Sequence, residues 1–136
     1  MRVEEREIAA IGPGLLVLLG VGHGDDDATA ATLARRMTEL RIFRDDGGRT
    51  NRSILDVGGG ALVVSQFTLY ADTARGRRPG FTDAADPAVA ERLYLQVAAG
   101  LRTAGVADVQ TGAFGAEMAV ELVNDGPFTI WLDTND

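Results

Sequence analysis

Ala61-Leu62-Val63-Val64-Ser65-Gln66-Phe67-Thr68-Leu69-Tyr70 is the stretch on which the fold turns. Its first half is apolar throughout, as in a strand buried on both faces. After Ser65 the text alternates. As a strand it puts Gln66 and Thr68 on one face and Phe67 and Leu69 on the other. The stretch therefore predicts a central strand that carries polar groups into a buried setting. Leu15-Leu16-Val17-Leu18-Leu19-Gly20-Val21 is a second unbroken apolar run. It follows the turn-like Ile11-Gly12-Pro13-Gly14 and predicts another strand covered on both faces.

Between these runs lies a helix signal. Asp25-Asp26-Asp27 supplies acidic residues that cap free N–H groups and suit the positive end of a helix dipole. Leu33, Met37 and Leu40 then recur at helical spacing, with Arg35, Arg36 and Glu39 between them, as in an amphipathic helix packed on a sheet. Asp45-Asp46-Gly47-Gly48 has hairpin-turn composition. Beyond the central strand, Thr73 to Phe81 is a loop with Arg75, Arg77 and Arg78. Asp86-Pro87 opens a second helix, Asp at the N-cap and Pro at the first helical position. Ala90, Leu93, Val97 and Leu101 form its apolar stripe, and Gly105 stops it.

The last third predicts strands. Met118, Val120 and Leu122 alternate with Ala119, Glu121 and Val123, Asn124-Asp125-Gly126-Pro127 is a turn, and Phe128-Thr129-Ile130-Trp131-Leu132 follows. Together these elements predict an α/β protein: residues 1–136 as a single layered domain of mixed, largely antiparallel sheets with two main helices. A doubly wound nucleotide-binding sheet does not fit the order.

Bulk composition narrows the chemistry. A chain of 136 residues buries roughly two-thirds of its unfolded surface and needs no disulfide or metal staple. It has no cysteine, which excludes a thiolate nucleophile, a disulfide framework and a Cys-based zinc site. His23 is the one histidine and sits in Gly22-His23-Gly24-Asp25, which reads as an ordinary loop. The net charge of −7 argues against broad wrapping of nucleic acid, although a small basic patch can grip one end of an RNA. The charged N-terminus and the shortness of the longest apolar run point to neither a signal peptide nor a membrane span, so the expected location is cytoplasmic.

Two segments are unusual for a plain scaffold. Ser65, Gln66 and Thr68 place hydroxyls and an amide where partners are needed. Composition alone lets them satisfy one another or the loop backbone. Asn124-Asp125-Gly126-Pro127-Phe128-Thr129 reads alone as a β-turn, or as a Gly–Pro that presents carbonyls to a cleft.

Taken together, Ser65-Gln66-Phe67-Thr68 and Asn124-Asp125-Gly126-Pro127-Phe128-Thr129 resemble the two signature motifs of the D-aminoacyl-tRNA deacylase family. Ile11 to Val21, Val63 to Asp72, Gly76-Arg77-Arg78-Pro79, Phe81-Thr82-Asp83-Ala84-Ala85 and Thr111 to Met118 are similar to the family in the same order. The resemblance covers nearly the whole chain. It implies hydrolysis of the ester bond of D-aminoacyl-tRNA, and of glycyl-tRNA mischarged on tRNA(Ala), with L-aminoacyl-tRNA rejected. It implies a homodimer whose active sites lie at the interface, with aminoacyl-tRNA as partner, no DNA, no metal and no cofactor.

The resemblance also assigns residues. Ser65, Gln66, Phe67 and Thr68 would form the catalytic segment, Gln66 and Phe67 shaping the oxyanion end and Thr68 beside the ester. Asn124, Gly126, Pro127 and Thr129 would set chiral selectivity, through a cis Gly126–Pro127 bond whose carbonyls oppose an L side chain. Phe81 would stack on the terminal adenine, Met118 would line the pocket, and Arg77 and Arg78 would meet tRNA phosphates. For Phe81 and Met118 core packing is the plain alternative, and for the arginines a solvated loop. Phe128 stands where the family commonly has valine. The family usually begins with one further strand, ahead of the equivalent of Met1, so either the true start lies upstream or the protein lacks that strand. Its loss would leave a sheet edge open. Two other functions stand beside the first: a relative with a trans Gly–Pro and relaxed chirality, and a nucleic-acid-binding protein that kept the fold without the activity.

Overall fold

The structure, a computed structural model, describes residues 1–135. In chain order the elements are β1 (Arg2–Val3), β2 (Arg6–Glu7), β3 (Gly14–Leu19), α1 (Asp27–Glu39), β4 (Phe43–Arg44), β5 (Thr50–Arg52), the single turn α2 (Ile54–Val57), β6 (Gly60–Ser65), a 3-10 turn (Phe67–Tyr70), α3 (Pro87–Ala104) and β7 (Asp108–Thr111). The class is the expected layered α/β arrangement with two main helices, α1 and α3, and with both parallel and antiparallel sheets. The central sheet has the order β3-β6-β7, and both of its pairings are parallel rather than antiparallel. The reason is connection length: each neighbouring pair is joined through a long helix, which returns the chain to the same end of the sheet. Antiparallel pairing forms two short hairpins, β1-β2 and β4-β5, and isolated bridges such as Arg2 with Ala119.

Alternate residues of β6 serve two cores. Ala61 and Val63 face α1 and α3, packing with Ala34, Met37, Leu93, Val97 and Leu101. Leu62 and Val64 face the other side, with Met1 and Ala9. The helices touch closely at Ala34 and Gly100, where a Cβ added to Gly100 would lie 2.9 Å from that of Ala34. The caps form much as composition predicts. Asp26 accepts from the Thr29 amide at 2.9 Å while Thr29 accepts from the Asp26 amide at 2.8 Å, a capping box. Pro87 starts α3 and Gly105 ends it in the left-handed region, although Asp86 makes no side-chain cap bond.

Three local expectations are corrected. β3 is half-buried rather than covered on both faces, and Leu18 is 47% exposed, because β3 is an edge of the sheet with β6 on one side only. The central strand ends at Ser65, and Phe67–Tyr70 is a 3-10 turn, so Gln66 to Tyr70 do not alternate across a sheet. Residues 118–132 form no strand beyond one bridge, Ala119 with Arg2. They alternate as strands do but find no neighbouring strand to complete their backbone bonds. Among the described residues no helix is long and apolar enough to cross a membrane.

Candidate active site

The first motif is built by the end of β6. The Gln66 amide donates to the Leu19 carbonyl at 2.7 Å, extending the contact with β3 by one residue. The chain then turns tightly, with the Leu69 amide on the Gln66 carbonyl at 3.2 Å and the Ala71 amide on the Thr68 carbonyl at 3.0 Å. What draws it round is Tyr70. Its ring lies against Gly20 and Gly22, and a Cβ on Gly22 would sit 2.8 Å from Tyr70 ring atoms. Only glycine leaves that space. Burial, then the Asp25 and Asp133 carboxylates, push the Tyr70 hydroxyl above its ordinary pKa.

The turn displays Phe67 and Thr68 to solvent and leaves Ser65 and Gln66 half-buried. The Gln66 side-chain amide donates to the Thr68 hydroxyl, Nε2 to Oγ1 at 2.5 Å. Phe67 meets Phe81 edge to face, with ring centroids 5.0 Å apart and planes at 72°. Phe81 follows a loop closed at its base by Asp72 and Gly80, whose backbones exchange bonds of 2.7 and 2.9 Å. Arg75, Arg77 and Arg78 lie on that loop, all exposed, with no carboxylate within salt-bridge reach among the described residues. Ser65 to Thr68, Phe81 and the arginine loop thus share one region of the chain.

The second motif lies in the C-terminal segment. Asn124 organises it: its side-chain oxygen accepts from the Phe128 amide at 3.1 Å and its side-chain nitrogen donates to the Thr129 hydroxyl at 2.9 Å. Gly126 has φ of 129°, open to glycine, and the Gly126–Pro127 bond is trans, correcting the cis form that the resemblance implied. Trans is the ground state of an X–Pro bond, and nothing packs on this exposed turn in a single chain. Asn124 to Thr129 line one wall of a cavity of about 1950 Å³, whose other walls come from β3, α1 and the β4-β5 hairpin. Leu69 and Tyr70 of the 3-10 turn also line it, whereas Ser65, Gln66, Phe67 and Thr68 do not. Met118 is half-buried on the smaller core with Leu62 and Val64, its sulfur close to Gly112. One chain therefore assembles the first motif with Phe81 and the arginines but not with Gly126, Pro127, Thr129 or Met118.

Two further contacts here have no local signal in the sequence. His23 Nε2 lies 2.7 Å from the Thr82 carbonyl, 59 residues away, and Tyr70 packs on Gly22. A histidine in a polar turn carries no local signal of a distant partner. Among the described residues no group of His, Asp or Glu is placed to hold a metal ion.

This arrangement fits a known pattern. The family described as D-Tyr-tRNA(Tyr) deacylase matches residues 1–133. The chain belongs to this family. A D-aminoacyl-tRNA deacylase of Dinoroseobacter shibae is similar at 62% identity over 133 residues, which cover 98% of this chain and 91% of that protein. One from Thermomicrobium roseum is 60% identical over 127 residues, covering 93% of this chain and 82% of that protein. Among solved structures, one named c-Myc DNA unwinding element binding protein superposes with a TM-score of 0.90 at 36% identity, covering 97% of this chain and 89% of the other. A probable eukaryotic D-amino acid tRNA deacylase shares the fold, with a TM-score of 0.61 at 16% identity over 75% of this chain and 74% of the other. The family match and these relatives thus account for the layered fold along the chain.

Proposed function

We propose that the chain hydrolyses the ester bond of D-aminoacyl-tRNA, releasing the D-amino acid and free tRNA, as a homodimer whose two sites lie between the copies. One observation carries this reading. The Gln66–Thr68 pair stands beside Phe67 and Phe81, while Gly126 and Pro127 line a cavity wall that includes Leu69 and Tyr70 but not residues 65–68. Two motifs with no mutual hydrogen bond or ring contact within one chain meet through a two-fold contact between copies. An apolar run suited to that contact is present: Leu122, Val123, Phe128, Ile130 and Trp131 are all exposed.

The chemistry follows from the groups at hand. An aminoacyl ester is activated, so stabilising the oxyanion that forms as water adds to the carbonyl is the main demand. The Gln66 amide and the backbone N–H groups opening the Phe67 turn, which have no partner within the turn, are donors for it. The ribose hydroxyl beside the ester is already positioned to assist, an intramolecular advantage that does not call on a side-chain nucleophile. Thr68 orients Gln66, and Ser65 supports the strand end beneath. Phe81 stacks on the terminal adenine, and Arg77 and Arg78 meet phosphates of the acceptor end, a local grip that a net charge of −7 permits. Gly126 and Pro127 from the other copy, held by Asn124 and Thr129, oppose an L side chain, with Met118 as an apolar wall. Selectivity is then by exclusion, and glycine, with no side chain to exclude, passes. Glycyl-tRNA mischarged on tRNA(Ala) is accordingly a second substrate.

The trans Gly126–Pro127 bond favours a second reading, in which chirality is relaxed and a small L-amino acid is also removed. The test is release of tyrosine from D- and L-tyrosyl-tRNA by the purified chain, beside the Gln66→Ala/Thr68→Ala variant. Loss of the D-ester alone, abolished in the variant, is the expected result. Loss of both esters supports the second reading, and loss of neither overturns the function.

A further inference from the structure

Phe81 is held from both sides. On its N-terminal side Gly80 exchanges two backbone bonds with Asp72. On its C-terminal side the chain is stitched to the end of β3: the Ala85 amide donates to the Val21 carbonyl at 2.9 Å, and Ala84 bridges Gly22. The Ala84 amide also donates to the Phe81 carbonyl at 3.2 Å, closing a turn over residues 81–84. Within that turn Thr82 is tied down by a side chain. His23 Nε2 donates to the Thr82 carbonyl across 2.7 Å. His23 is itself anchored, because the Asp25 carboxylate accepts from the Gly22 amide at 2.8 Å and closes the turn 22–25. The imidazole therefore reaches from a fixed turn to the residue beside the aromatic ring that meets Phe67 at 5.0 Å.

We infer that His23 is a positioning residue: it fixes the Phe81 ring against Phe67 and so sets how tightly the chain holds the terminal adenosine of its substrate. The inference rests on the reading of Phe81 as a stacking platform. His23 acts through Thr82 and does not reach the Gln66–Thr68 pair, so its removal loosens the platform without touching the groups that meet the ester. Two aromatic rings left half-exposed at a surface, one of them pinned at both neighbours, suit a flat apolar ligand that slides beside them. Stacking of a base on an aromatic side chain depends on the ring being presented at a fixed angle.

The test uses the full chain with two substitutions. His23→Ala removes the donor, whereas His23→Gln keeps an N–H at the reach of Nε2. Binding of adenosine 5′-monophosphate is measured by calorimetry or NMR titration, and kinetics with D-tyrosyl-tRNA. With one hydrogen bond lost, His23→Ala is expected to weaken nucleotide binding and raise KM by about three- to tenfold, with kcat unchanged. His23→Gln is expected to restore both. Unchanged nucleotide binding in His23→Ala overturns the inference. So does a fall in kcat at constant KM, or a failure of His23→Gln to restore binding. A wild-type chain that does not bind the nucleotide also overturns it. If the wild-type chain hydrolyses neither ester but its nucleotide binding still responds to His23→Ala and recovers in His23→Gln, the catalytic reading falls and the positioning role stands.

Discussion

The Gln66 side-chain amide donates to the Thr68 hydroxyl at the exposed point where the central strand gives way to a 3-10 turn. An amide N–H on Oγ1 cannot take up the threonine proton. A threonine nucleophile needs a base in that place, and the structure puts a donor there instead. Gln66 and Thr68 are better understood as one oriented unit, with Gln66 as the working donor.

Gln66→Ala is expected to lower kcat for the D-ester by about 10²–10³, the range for loss of an oxyanion donor. Thr68→Val leaves Gln66 in place but unoriented and is expected to cost only about tenfold, the worth of one hydrogen bond. Single-turnover rates on D-tyrosyl-tRNA compare the two. A Thr68→Val variant that is the more damaged would instead make the threonine the nucleophile.

Gly22→Ala tests how the turn is held. The added methyl meets Tyr70 ring atoms at 2.8 Å, an overpacked contact expected to cost about 1–3 kcal/mol. The double variant Gly22→Ala/Tyr70→Leu should recover part of that loss, a coupling visible in urea midpoints. Strictly additive effects would mean that the two residues do not meet.

The chain has two tyrosines, and burial raises both Tyr70 and Tyr94 above 10.0. A group whose folded pKa lies above its unfolded value contributes stability that is fully present below the unfolded value and is lost as pH rises through the folded one. Stability should therefore hold up to about pH 10 and fall above it. Ultraviolet titration of the folded chain should find neither tyrosine ionising with a midpoint at 10.0. An ordinary midpoint for either would contradict the burial of that ring.

Trp131 is the one tryptophan and is 67% exposed in the single chain. A contact between copies through residues 122–131 would cover it. Its emission is expected to shift to the red on dilution, in step with the fall in mass seen by light scattering. A dimer that dissociates without changing Trp131 emission would place the contact on another face.

Much of the fold was legible because local signals and packing agree. Leu15 to Leu19 and Ala61 to Val64 are unbroken apolar runs that pair in register. Asp26 and Gly105 stand where helix ends need them. Gln66 to Tyr70 misled because polar and apolar residues alternate there as in a strand. The Gly22–Tyr70 contact that bends them joins segments nearly fifty residues apart in the chain and has no local trace. Residues 118–132 alternate with equal clarity, but alternation only offers a strand, and a partner must be there to form one. The direction of the central sheet followed from helical connections rather than from any strand's own text. At the site, the residue types of both motifs could be read, whereas their separation on one chain and the His23–Thr82 tether could not.

The most direct test of a site shared between copies uses two impaired chains. One lacks Gly126 and Pro127 and is expected to hydrolyse both D- and L-tyrosyl-tRNA, having lost the excluding element. The other, Gln66→Ala/Thr68→Ala, is silent but keeps its Gly–Pro. Mixed with an excess of the silent chain, the first should still hydrolyse the D-ester yet reject the L-ester, because each intact first motif now faces a partner's intact Gly126–Pro127. L-ester hydrolysis that persists unchanged in the mixture would contradict the account.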